Sequence, residues 1–185
     1  MDLDLYLADL EGRFDAERRM LEEALVGELT DAERAGVSLA ARLLARSGER
    51  LTVLVRGGGR LSGRVKDVAR TWVLLATPGG DSLIPLTAVA AVWPLGASAV
   101  DESSVRHAVG VGHILRELAE DAAEVVIDHD AGIHQGTVRA VFADHLDIET
   151  RAGASGLDTR DRGAAEVISL PTSGIRRLRL ITGPR

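Results

Sequence analysis

One arrangement of residues occurs twice in this chain, and it constrains the fold more than any other feature. With Gly136 set against Gly63, Val138 falls under Val65, Val141 under Val68 and Ile148 under Leu75. Val126 and Ile127 fall under Val53 and Leu54. Past the third strand the offset grows from 73 to 86 residues, a 13-residue insertion within the Gly- and charge-rich stretch "RAGASGLDTRDRGAAE". Beyond it, Pro171 lies under Pro85, Ile175 under Val89 and Leu178 under Val92. Self-similarity of this kind marks one supersecondary unit used twice.

Each copy reads as a helix followed by short strands. "TDAE" at Thr30 fits a capping box, and the helix it opens runs through "RAGVSLAARLLARS" to Gly48. After Gly48 the apolar period changes from 3.6 to 2, with Leu51, Val53 and Val55 alternating. "RGGGR", "LSGRVKDV", "TWVLLAT", "PGGD", "SLIPL" and "AVAAVWP" then alternate turns with strands, the pattern of a small five-stranded barrel. Pro85 lacks an amide hydrogen and belongs at an edge or a strand junction. The second copy opens with a helix over 101–120, capped by Asp101, in which Gly110 and Gly112 are weak points. Before both copies, Leu3, Leu7, Leu10, Phe14, Leu21 and Leu25 line one face of an amphipathic helix over 2–28. That stripe packs within the chain or pairs with a second helix. The expected divisions are 1–29, 30–96 and 97–181, with an inserted loop near 151–166.

Composition narrows the chemistry. The chain of 185 residues has no cysteine, which removes disulfides, thiol catalysis and cysteine-ligated zinc. No apolar run has the length of a membrane span, and "MDLDLYLADLEG" is acidic where a signal peptide is basic. A cytoplasmic location is the expectation. Lys66 is the only lysine, so arginine abundance reflects codon supply as much as function. Net charge is −6, but residues 49–96 carry 6 Arg+Lys against 3 acids, whereas residues 1–48 carry 6 Arg against 11 acids. The one clearly positive segment holds the triple glycine.

The short motifs yield no catalytic frame. Gly57-Gly58-Gly59 precedes a strand, whereas a Walker-type phosphate loop needs Gly-Lys-Ser/Thr opening a helix, so it reads as a hairpin turn. "DHDAGIH" places Asp128 and Asp130 on one strand face and His129 on the other, so with His134 they do not converge on a metal. A solvated turn is expected there. His107 and His113 face different ways on a helix. No paired carboxylates or serine–histidine pattern stands out. Neither a cofactor nor a metal is expected. Trp72 and Trp93 are expected in the core; exposed, they would stack bases.

The helix, the bent strands and the "L-x-G-x-V-x-x-V" of Leu61, Gly63, Val65 and Val68 resemble the Sm-like superfamily. The "A-V-x-x-V-x-P" ending at Ala88, Val89, Val92 and Pro94 is most similar to its bacterial hexameric RNA chaperones. The whole chain also resembles an actinobacterial family of about this length, some of whose members are labelled transcriptional regulators. The resemblance covers 31–95 and 101–181. It implies a mainly β fold with helices, built from two tandem five-stranded Sm-like (SH3-like) barrels, each preceded by a helix. It implies non-catalytic nucleic-acid binding, RNA above all. The chaperones bind RNA with a Tyr-Lys-His run before the last strand. Pro85, Leu86 and Thr87, and again Pro171, Thr172 and Ser173, stand there instead. The family's Asp after the second strand is replaced by Ala69 and Phe142. The expected nucleic-acid contacts are therefore Arg56, Arg60, Arg64, Lys66 and Arg70, as a basic stripe along one hairpin. The alternative is a protein-interaction scaffold that uses the N-terminal helix and the barrel edges, including self-association.

Overall fold

The computed structural model describes Met20 and residues 35–105, 109–150 and 166–181. The expected N-terminal helix, the Thr30 cap and most of the inserted loop lie outside the described residues. The chain divides into two compact units, Met1–Val37 and Ser38–Arg185. The second unit is mainly β. It contains β1 (Arg50–Val55), β2 (Arg60–Ala69), β3 (Trp72–Thr77), β4 (Gly80–Pro85) and β5 (Val89–Trp93). It continues with β6 (Glu124–His129), β7 (Gly132–Val141), β8 (His145–Thr150), β9 (Glu166–Pro171) and β10 (Ile175–Leu180). Among the described residues, two α-helices precede these strand sets: α1 (Leu39–Leu44) and α2 (Val111–Glu120).

The ten strands form one open antiparallel sheet in the order β5-β1-β2-β3-β4-β10-β6-β7-β8-β9. In each half the fifth strand returns to pair with the first, and the halves meet where β4 lies beside β10. No membrane-length apolar helix occurs among the described residues.

Strand burial follows the period of two. Leu51, Val53 and Val55 point inward while Arg50, Thr52 and Leu54 face out. Val65 and Val68 are three apart yet both buried. A β-bulge between Val65 and Asp67 reconciles these, since one extra residue restores the inward face. The second half repeats the bulge between Val138 and Ala140. A Cβ on Gly63 would run into the Ala76 carbonyl, and one on Gly136 into that of Glu149. Only glycine permits this approach of neighbouring strands.

Three details differ from the sequence reading. Leu51 pairs with Gly63 but Val125 with Gly136, so the second hairpin is one residue shorter and Ile127, not Val126, is the equivalent of Val53. The helix expected over 30–48 is interrupted: Gly36 lies in a turn, and Ser38 caps α1 by accepting a bond from the Ala41 amide at 3.1 Å. Asp101 caps a 3₁₀ turn over Glu102–Ser104, through the Ser103 amide at 2.8 Å, and α2 begins only after Gly110.

Two apolar clusters form the core. The first joins β1–β4 to Ala40, Ala41 and Leu43 of α1 and to Val105. The second joins β6–β10 and Leu115 of α2 to Ala69, Trp72 and Leu83 of the first strand set. Trp72 is thus buried beneath the second half, and its indole donates to the Val109 carbonyl at 2.7 Å.

Candidate nucleic-acid interface

The outward face of β1 and β2 gathers the cations. Alternation sends Arg60, Ser62, Arg64 and Lys66 outward on β2, opposite the buried Gly63 and Val65. Arg50 of β1 lies directly across from Arg64. The sequence reading did not single out Arg50; the turn that ends at Gly48, and hence the β1 register, places it there. Thr52 and Ser62 face each other, with hydroxyl oxygens 2.8 Å apart. Trp93 on β5 lies beside Thr52 and is 39% exposed. The expectation that Trp93 fills the core is thus corrected: β5 is an outer strand, and its outward residues have no covering layer among the described residues. The Arg60 guanidinium sits 5.2 Å from the centroid of the Trp93 ring, a cation–π arrangement.

The five stripe residues are not equally available. Arg60 has no carboxylate partner among the described residues, and its guanidinium rests on Trp93. Arg64 donates to the Gly48 carbonyl and keeps its charge unneutralised. Lys66 is held at 2.5 Å by Asp81. Arg56 leaves the stripe: it donates to the Ser173 carbonyl at 2.6 Å and lies 3.6 Å from Asp130, both in the second half. Arg70 is exposed in the β2–β3 turn, at the far end of β2.

The triple glycine turns the chain. Arg56–Gly58 forms a 3₁₀ turn between β1 and β2, with φ of 76° at Gly57 and 85° at Gly58. Gly57 also lies against Arg176, whose guanidinium a Cβ would overlap. The loop therefore docks on the second half through Arg56, Asp130, Ser173 and Arg176.

The matching face of the second half carries other chemistry. Ile133, Gln135 and Thr137 stand where Arg60, Ser62 and Arg64 stand in the first, and Arg139 pairs with Glu149. Arg176 donates to Asp128 at 2.6 Å, and Arg177 lies 3.7 Å from the same carboxylate. Burial lowers the Arg177 pKa, and the neighbouring Arg179 lowers it further. The solvated turn expected at "DHDAGIH" is instead half interior, since His129 and His134 are both buried. Among the described residues no three His, Asp or Glu side chains gather as metal ligands. No family model matches this chain, and no curated protein matches it.

Proposed function

We propose that each half is an Sm-like barrel and that the chain is a non-catalytic nucleic-acid-binding protein, acting on single-stranded RNA. The strand order within each half supports the barrel reading, because the fifth strand returns to the first and the second is bent by a bulge. One observation carries the binding reading: Arg60 over Trp93, beside Arg50 and Arg64, on an outward face that the second half does not duplicate. A π face offers stacking to any base, and the unneutralised guanidinium groups offer phosphate contacts without sequence preference. Arg70 extends the stripe; Lys66 and Arg56 contribute less, because Asp81 and Asp130 already oppose them.

Salt titrations of binding to an unstructured RNA test this. The triple variant Arg50→Gln/Arg60→Gln/Arg64→Gln should bind more weakly, with a salt slope lower by roughly 0.7 for each phosphate that the variant no longer neutralises. Trp93→Ala should cost about 1–3 kcal/mol with the slope unchanged. Absence of RNA binding by the wild type at low salt, or equal affinity in the triple variant, refutes the reading.

A second reading, a protein-interaction scaffold, rests on the outer strands. β5 is the uncharged "VAAVW", with Ala90, Ala91 and Trp93 exposed, and such an edge invites pairing. Within the chain β4 lies beside β10, the pair of strands equivalent to β9 and β5. Edge pairing between copies would make assembly concentration-dependent in sedimentation, and Ala90→Lys would abolish it. A monomer at all concentrations removes this reading.

A further inference from the structure

The seam between the halves is closed by a single ladder pair, Leu83 with Leu178. Beside that pair a cleft of about 680 Å³ opens between the β3–β4 hairpin, α2 and the end of β10. Leu74, Leu83, Ile114, Leu118 and Leu180 contribute its apolar walls, and among the described residues no aromatic ring lines it. Two charged residues among those described reach it, Asp81 and Arg179. Asp81 is already neutralised by Lys66 at 2.5 Å. Arg179 has no carboxylate partner among the described residues. It makes one long bond, to the Gly79 carbonyl at 3.4 Å, and its Nε is buried without a partner. Arg177, two residues away, adds a like charge rather than a counter-ion.

An apolar cleft with one uncompensated guanidinium is complementary to a molecule with one negative charge and an apolar body. The volume is within the roughly 300–1,000 Å³ range of small-molecule sites. Aliphatic walls without a ring to stack on favour a flexible hydrocarbon chain over an aromatic body. A carboxylate accepts charge-assisted N–H bonds from the terminal nitrogens of a guanidinium, and here those nitrogens make only the long bond to the Gly79 carbonyl. We propose that this cleft binds a single-chain aliphatic carboxylate, with its tail against the leucine and isoleucine walls and its head on Arg179. The site shares no residue with the Trp93 face, so it stands or falls independently of RNA binding.

The full-length protein is titrated with cis-parinaric acid below its critical micelle concentration, and fluorescence is read. Saturable binding at one site per chain is expected. Dodecanoate should displace the probe and dodecanol should do so far less well. Arg179→Met should weaken probe binding roughly ten- to a hundredfold, the value of a charge-assisted contact. Leu180→Asp should weaken it as well; that side chain is 55% exposed, so the fold tolerates the change. No saturable binding by the wild type, equal displacement by dodecanoate and dodecanol, or full affinity in a folded Arg179→Met protein each overturns the proposal. If Arg179→Met does not fold, the comparison of acid with alcohol on the wild type and the Leu180→Asp result decide it.

Discussion

His129 and His134 occupy core positions that belong to Val55 and Leu61 in the first half, as the strand partners show: Val55 faces Val89 and His129 faces Ile175, while Leu61 faces Val53 and His134 faces Ile127. The exchange is accommodated locally. Gly174 stands where the first half has Ala88, and a Cβ there would overlap the His129 ring. The Ala131 amide donates to His129 Nδ1 at 3.0 Å, which leaves Nε2 to donate to the Pro171 carbonyl at 2.9 Å. His134 has no such partner at either nitrogen. Burial, and secondarily His129, lower its pKa from the ordinary 6.5. Below that value the unfolded chain binds a proton that the folded chain resists, so stability is complete above about pH 6.5 and falls as pH drops toward the folded-state pKa. Urea midpoints at pH 8 and pH 5 should therefore diverge more for the wild type than for His134→Leu. At pH 8 the variant should be unchanged or more stable, by up to about 1–3 kcal/mol, because a buried unsatisfied group is removed. The glycine turn has its own test. Gly58→Ala meets open space at positive φ and should cost about 1 kcal/mol. Gly57→Ala should cost more, since it also displaces Arg176.

At the scale of elements, β3 and α2 tie the two strand sets together. Trp72 leaves the first half to fill the second cluster, where the segment before α2 accepts its indole hydrogen. Trp72→Ala should cost about 3–5 kcal/mol in chemical denaturation, comparable with a large core deletion within one half. The single ladder pair at the seam makes that side-chain burial more important than backbone bonding there. Asp101 offers a contrast: the Ser103 bonds hold its carboxyl below the usual carboxylate range, but at an exposed 3₁₀ turn.

For the whole molecule, one sheet and a shared second cluster imply one folding unit over the described part of Ser38–Arg185. Circular dichroism and tryptophan fluorescence should report coincident thermal transitions. Two separate transitions would show halves that unfold independently, contrary to the position of Trp72. The Arg56–Asp130 contact across the seam should add salt sensitivity without deciding stability, since exposed pairs contribute about 0–1 kcal/mol.

The strands and the repeat were legible because they depend on local alternation: the "V-x-x-V" of Val65 and Val68 even carries the bulge, as a three-residue step between inward positions. Turn chemistry was legible for the same reason, since Gly57 and Gly58 must supply positive φ whatever surrounds them. The orientation of Arg64 and Lys66 followed from period two alone. What the tertiary structure decided lies between elements distant in sequence. Trp72 and Trp93 are alike in sequence context, but one is covered by the second half and the other lies on an outer strand. Arg56 reads as a free cation until Asp130 and Ser173 meet it, and Lys66 until the β3–β4 hairpin returns Asp81 to it. "DHDAGIH" reads as a solvated turn because histidine and aspartate are polar, but alternation from Gly136 turns His134 inward and the shorter second hairpin turns His129 inward, into places that Leu61 and Val55 hold in the other half. Periodicity determines which face a side chain takes; only the packing of the other half determines whether that face meets water, a counter-charge or the core.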